Sequence, residues 1–245
     1  MWTLVLKRLR ERRDSAKSPE EGALLSEIVS LASTRQAPNQ FVASFSEDGD
    51  DLTQWRAYCP GEAGFSIGFS SAALFSQWIS DPAGGEPSFV GSKFLKICYL
   101  NENNTSEVDL AIDRTLELAT GLRQFLGGES RQQQAIVAWL GIIAPSYKNS
   151  AYRAEGEWRM VLSKPDKPMP GQRFRTGKST LIPYVEVELN RDTSRRVSNE
   201  YMVRKVLVGP TPSPDLSLEA LQSLFVTKGH SEVVVEKSAI PYRHW

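Results

Sequence analysis

The residues best suited to chemistry lie in one short stretch, Tyr152-Arg153-Ala154-Glu155-Gly156-Glu157-Trp158-Arg159. From Glu157 onward the pattern alternates. Trp158, Met160 and Leu162 share one face, as core residues do, and Glu157 and Arg159 share the other. If Glu155 is extended as well, its carboxylate joins that face roughly 6–7 Å along the strand. Two carboxylates that close perturb each other's protonation. One can then stabilise a cationic transition state while the other orients a nucleophile. The plain alternative is a solvated face on which Arg159 offsets Glu157.

Two further groups could join them. Ser44 and Ser46 flank Phe45, so both hydroxyls share one strand face and could bond a sugar or hold a carboxylate in place. Trp55 and Tyr58, in Gln54-Trp55-Arg56-Ala57-Tyr58, could stack on a planar ring or anchor a short helix to the core. The acidic run Glu47, Asp48, Asp50 and Asp51 lacks the spacing of a calcium loop and reads as a helix-capping turn, so no metal is expected.

Composition removes several classes. His230 and His244 are the only histidines, which leaves little for a Ser-His-Asp device or a His-rich metal centre. Cys59 and Cys98 have no partner at metal-ligand spacing and read as reduced thiols of a cytoplasmic protein. No Gly-rich phosphate loop of either standard type is present. The 29 basic and 29 acidic side chains cancel, so net charge does not indicate nucleic acid. The longest apolar run, Ile136 to Ala144, falls short of the ~20 residues of a membrane span. The basic start, Lys7 to Arg13 among Leu4, Leu6 and Leu9, reads as a helix with a solvated face, with a membrane-surface helix as the alternative.

The elements that must position these residues follow from periodicity. Ser18-Pro19-Glu20-Glu21 opens a helix with a capping box, and Leu24, Leu25, Ile28 and Leu31 repeat on one face to about Arg35. Strands are expected at Phe41–Ser46, Phe65–Phe69, Lys93–Leu100, Glu157–Leu162, Leu181–Leu189, Val203–Val208 and Glu232–Glu236. A capped short helix holds Trp55, and Ser70–Phe75 makes a helix or turn. Asp81–Gly85 and the polar stretch Lys164–Gly177 are expected as loops. Two central helices are expected, broken at Gly127-Gly128, with the second running from Ser130 to Pro145, and a last helix covers Leu218–Thr227. Strands at both ends with helices between them predict an α+β fold of mixed and antiparallel sheets around a central helix pair. The chain is expected as one domain, 1–245, with a helical segment 1–40 and a core 41–245.

Taken together, Ser44-Phe45-Ser46-Glu47, Gln54-Trp55-Arg56-Ala57-Tyr58 and Gly64-Phe65-Ser66-Ile67-Gly68-Phe69 resemble the core signature of domain-of-unknown-function family 2971, a bacterial family. Tyr147-Lys148 with Glu157-Trp158-Arg159 is similar to its second signature, and Val206–Pro210 and Ser238–Arg243 fit its ending. The family opens on a Tyr-rich strand and a later Asn-Asp-Pro turn, and neither precedes Phe41, so the chain is expected to be truncated or divergent there. The order of features also resembles ADP-ribosyltransferases, which implies a split sheet and NAD as substrate. By that resemblance Glu157 binds ribose and stabilises the oxocarbenium-like state, and Glu155 orients an acceptor still to be identified. Ser44 or Ser46 holds Glu157, Trp55 or Tyr58 stacks on nicotinamide, and Arg159 completes the cofactor-binding set. The alternative is a binding or defence-associated module that works through a protein partner without catalysis.

Overall fold

The computed structural model describes residues 2–34, 39–59, 64–75, 92–101, 105–125, 136, 139, 141, 144–164, 172–186 and 202–242. The fold is α+β, with small two- and three-stranded sheets that include antiparallel and parallel pairs. The chain forms two compact units, each from two separate segments.

The first unit comprises Met1–Phe45 and Ile79–Val187. Its helices are α1 (Trp2–Asp14), α2 (Pro19–Thr34) and α5 (Ser106–Phe125). They bury Val5, Leu9, Leu25, Ile28, Val108 and Ile112 against one another. The capping box at α2 is present: Ser18 Oγ accepts from the Glu21 amide at 3.1 Å. The basic face of α1 is exposed at Lys7 and Arg10, and two of its arginines also make ion pairs with α5. Arg8 forks onto Asp109 of α5 at 2.6 and 2.7 Å, and Arg12 lies 3.2 Å from Asp113. Positions three or four apart on α1 face α5, so apolar side chains enter the core while the arginines bridge its rim.

Three strands of this unit form a sheet in the order β1-β6-β3, where β1 is Asn39–Ser46, β3 is Ser92–Lys96 and β6 is Glu157–Lys164. β6 is central and pairs antiparallel with β3. Trp158 stacks on Phe94 at 5.1 Å, and Phe94 meets Phe45 edge-on at 5.5 Å. The expected strand Lys93–Leu100 is two strands. It breaks at Ile97, after which β4 (Cys98–Leu100) pairs parallel with β5 (Tyr147–Asn149). Buried Leu100 and Tyr147 tie that pair to the helices. The expected loop Lys164–Gly177 instead contains β7 (Gln172–Thr176), which forms a hairpin with β8 (Leu181–Val185). Asp81–Gly85, the Gly127-Gly128 break and the rest of Leu181–Leu189 beyond residue 186 lie outside the described residues. Of the second central helix only 136, 139, 141 and 144–145 are described, the first three helical.

The second unit comprises Ser46–Trp78 and Glu188–Trp245. It contains α3 (Leu52–Tyr58), β2 (Phe65–Phe69), α4 (Ser71–Phe75), β9 (Val203–Val208), a helix here called α6 (Pro214–Thr227) and β10 (Val234–Lys237). β9 lies between β2, antiparallel, and β10, parallel, with α6 as the crossover. Asp51 caps α3 by accepting from the Gln54 amide at 2.9 Å. Asp50 takes the indole N–H of buried Trp55 at 2.9 Å, the Ser238 hydroxyl at 2.5 Å and the Ala239 amide at 2.8 Å. Burial alone would raise the Asp50 carboxyl, but these donors outweigh it and hold it below its ordinary value.

Candidate functional site

The site grows from the centre of the first unit's sheet. Glu157 is the first residue of β6, and its backbone is fixed on both sides. Its N–H donates to the Tyr99 hydroxyl at 2.7 Å, and its carbonyl accepts from the Ile97 amide at 2.9 Å. The side chain is 5 % exposed, and both of its oxygens are in use. Oε1 accepts from Ser44 Oγ at 2.6 Å and from Arg159 Nε at 2.7 Å. Oε2 accepts from Lys148 Nζ at 2.9 Å and from a terminal nitrogen of Arg159 at 3.0 Å. Four donors fill the roughly four lone-pair positions of an ionised carboxylate.

Each donor is placed by local sequence. Arg159 lies two residues along β6 and therefore on the same face, and its remaining terminal nitrogen donates to the Pro145 carbonyl at 2.8 Å. Ser44 comes from β1, the neighbour of β6. Lys148 alternates with Tyr147 on β5, so the ring enters the core while the ammonium faces the carboxylates.

Glu155 is not extended, contrary to the condition under which it would share the strand face. It closes a 3₁₀ turn, Ser150–Glu155, whose start is capped by Asn149. Gly156 then takes the left-handed conformation, φ 50 and ψ 44, which favours glycine. The two carboxylates nevertheless share one cation, because Lys148 Nζ donates to Oε2 of both Glu155 and Glu157. Lys148 also lies 5.0 Å from the centre of the Tyr152 ring. It was visible in the sequence within Tyr147-Lys148, but no spacing linked it to the glutamates.

Burial by itself would raise the Glu157 carboxyl. Hydrogen bonds from Arg159, Ser44 and Lys148 reverse the sign and bring it down to about 2. Burial would lower the Lys148 ammonium, and the two glutamates raise it instead. The cluster thus joins two carboxylates, one ammonium and one guanidinium in a single hydrogen-bonded network. It can hold a hydroxyl or a cation if one internal donor gives way.

Residues 54–160 match the family described as "Protein of unknown function (DUF2971)". No curated protein and no solved structure matches the chain. The DUF2971 segment contains Lys148, Glu155, Glu157 and Arg159, as well as Trp55 and Tyr58. Ser44 and Ser46 precede it.

Ser44, Glu155, Glu157 and Arg159 are thus brought together in the first unit. Ser46, Trp55 and Tyr58 belong to the second. There Trp55 is a buried anchor and Tyr58 is 74 % exposed. The acidic run is taken up locally, since Asp50 and Asp51 bind the donors given above and Asp48 accepts from the Asp50 amide at 2.9 Å. Cys59 and Cys98 are free thiols. No helix among the described residues is long and apolar enough to cross a membrane.

Proposed function

We propose that the chain is an NAD-cleaving protein of ADP-ribosyltransferase type. The observation that carries this is the 2.6 Å hydrogen bond from Ser44 to Glu157, which joins the serine strand to the late Glu-x-Glu motif. In this mechanism the bond between nicotinamide and ribose breaks through an oxocarbenium-like state, and Glu157, ionised at neutral pH, supplies the opposing charge. A ribose hydroxyl bonds Glu157 only after Lys148 releases its acceptor position on Oε2, while Ser44 keeps the carboxylate in place. Glu155, held by Lys148 and less buried, orients the acceptor nucleophile.

The saturation of Glu157 also favours a second reading, in which the network is a structural clamp within a binding module. Nicotinamide release from NAD separates the two. Wild-type protein should release nicotinamide, and Ser44→Ala, which removes one donor to a charged group, should slow release by about tenfold. Glu157→Gln should abolish release, with circular dichroism checking that the variant folds. No release by the wild type, joined with no NAD-dependent rise in melting temperature, would sink the transferase reading and leave the binding module.

A further inference from the structure

β2 ends its sheet, in the order β10-β9-β2, and among the described residues no strand pairs with its outer edge. The register decides what that edge presents. The Gly209 amide donates to the Gly64 carbonyl at 2.9 Å, which makes these two a hydrogen-bonded pair. In an antiparallel ladder such pairs alternate. Ser66 opposite Leu207 and Gly68 opposite Lys205 are therefore the next bonded pairs, and the N–H and C=O groups of Phe65 and Ile67 point away from β9. The far side of β9 agrees. Val208, which lies opposite Phe65, turns its carbonyl to the Ser238 amide at 2.8 Å. The register shifts only at Gly68/Phe69, where Arg204 is the extra residue on β9, so β2 itself stays regular.

Three features of this edge fit one occupant. Phe65 and Ile67 are 49 % and 52 % exposed, on the face where their neighbours Val208 and Val206 are buried. Apolar surface thus runs from the covered centre of the sheet to its open rim. Next, Phe65–Phe69 holds no charge and no proline, the devices that ordinarily keep an edge from pairing. Finally, the edge is complementary to itself. A second β2, turned antiparallel about Ser66, sets its Ile67 opposite Phe65 and its Phe65 opposite Ile67. Each of these two pairs exchanges two N–H···O=C bonds, so every outward donor and acceptor of the two residues is met.

We infer that β2 is the contact between two copies of this chain, joined about a two-fold axis at Ser66 into one continuous sheet. Such an interface is isologous, the same patch serving both copies. The backbone bonds fix its register, and Phe65 packs beside Ile67 of the second copy. A net charge of zero leaves no long-range repulsion to oppose it. A strand of 5 residues offers little area, so the association is weak and reversible.

Sedimentation equilibrium of the full chain from about 5 to about 500 µM tests this. The wild type should pass from monomer to dimer across the range. Ile67→Pro removes only an outward N–H and spares every bond to β9, and it should weaken association by about tenfold or more. Ile67→Lys should do the same by placing a charge on the edge. Circular dichroism and the melting temperature of each variant check that the sheet is intact. Hydrogen exchange of the wild type reads the edge without any substitution. The Phe65 and Ile67 amides should exchange slowly in concentrated protein and fast in dilute protein. A chain that stays monomeric throughout, or a dimer that both variants leave at full strength, would overturn the proposal. So would slow exchange of both amides in the monomer, which would assign the edge to another occupant. None of these results bears on NAD cleavage, which uses residues of the first unit.

Discussion

Glu157 has no slack. Its two oxygens face four donors, and its removal would leave Arg159 and Lys148 without their shared counter-charge. Glu157→Gln should therefore destabilise the fold by about 3–5 kcal/mol, measured as a fall in the urea unfolding free energy. The pH dependence has a definite sign. The carboxyl lies near 2 when folded, below its ordinary 4.5, so its contribution is complete above about pH 4.5 and fades as pH falls toward 2. Urea midpoints measured from pH 7 down to pH 3 should drop below pH 4.5 for the wild type and drop less for Glu157→Gln. The sequence displayed Glu157 and Arg159 together because they sit two apart on one strand. Lys148 was concealed because its approach depends on parallel pairing of β4 with β5, a non-local contact that leaves no period in the sequence.

At the scale of elements, the clearest signals were those in which apolar residues alternate or recur. β1, β2 and β6 fall where Phe41 to Phe45, Phe65 to Phe69 and Trp158 to Leu162 alternate, β9 falls on the valine-rich run Val203 to Val208, and α2 follows its leucine stripe. β7 was illegible because Gln172–Thr176 is polar except for Phe174, which is itself 57 % exposed. Ile97 sits inside an apolar run, and only tertiary pairing makes it the break between β3 and β4. The turn between β5 and β6 depends on Gly156, so Gly156→Ala should cost about 1–2 kcal/mol in a thermal melt and turn Glu155 away from Lys148. Gly209 illustrates close approach instead. A methyl group there would meet Trp55 Cζ3 at 2.9 Å and the Gly64 carbonyl at 3.1 Å. Gly209→Ala should lower stability by about 1–3 kcal/mol, with indole fluorescence reporting the displaced Trp55.

For the whole molecule, charge balance sets the solution behaviour. With 29 charges of each sign and an isoelectric point near 6.8, nothing repels one copy from another at neutral pH. Solubility should pass through a minimum near pH 6.8 at low salt and recover on either side, which light scattering across pH 5–9 would record. The chain crosses between its two units three times, at 45/46, 78/79 and 187/188. That threading has a temporal side. β2 finds its hydrogen bonds on β9, which begins at residue 203, whereas β2 ends at residue 69. At ~5–20 residues per second, a ribosome delivers β9 roughly 7–27 s after β2. Throughout that wait Phe65, Ile67 and Phe69 lie on a strand without its partner in the nascent chain, the kind of exposed apolar segment that makes a folding intermediate prone to aggregate.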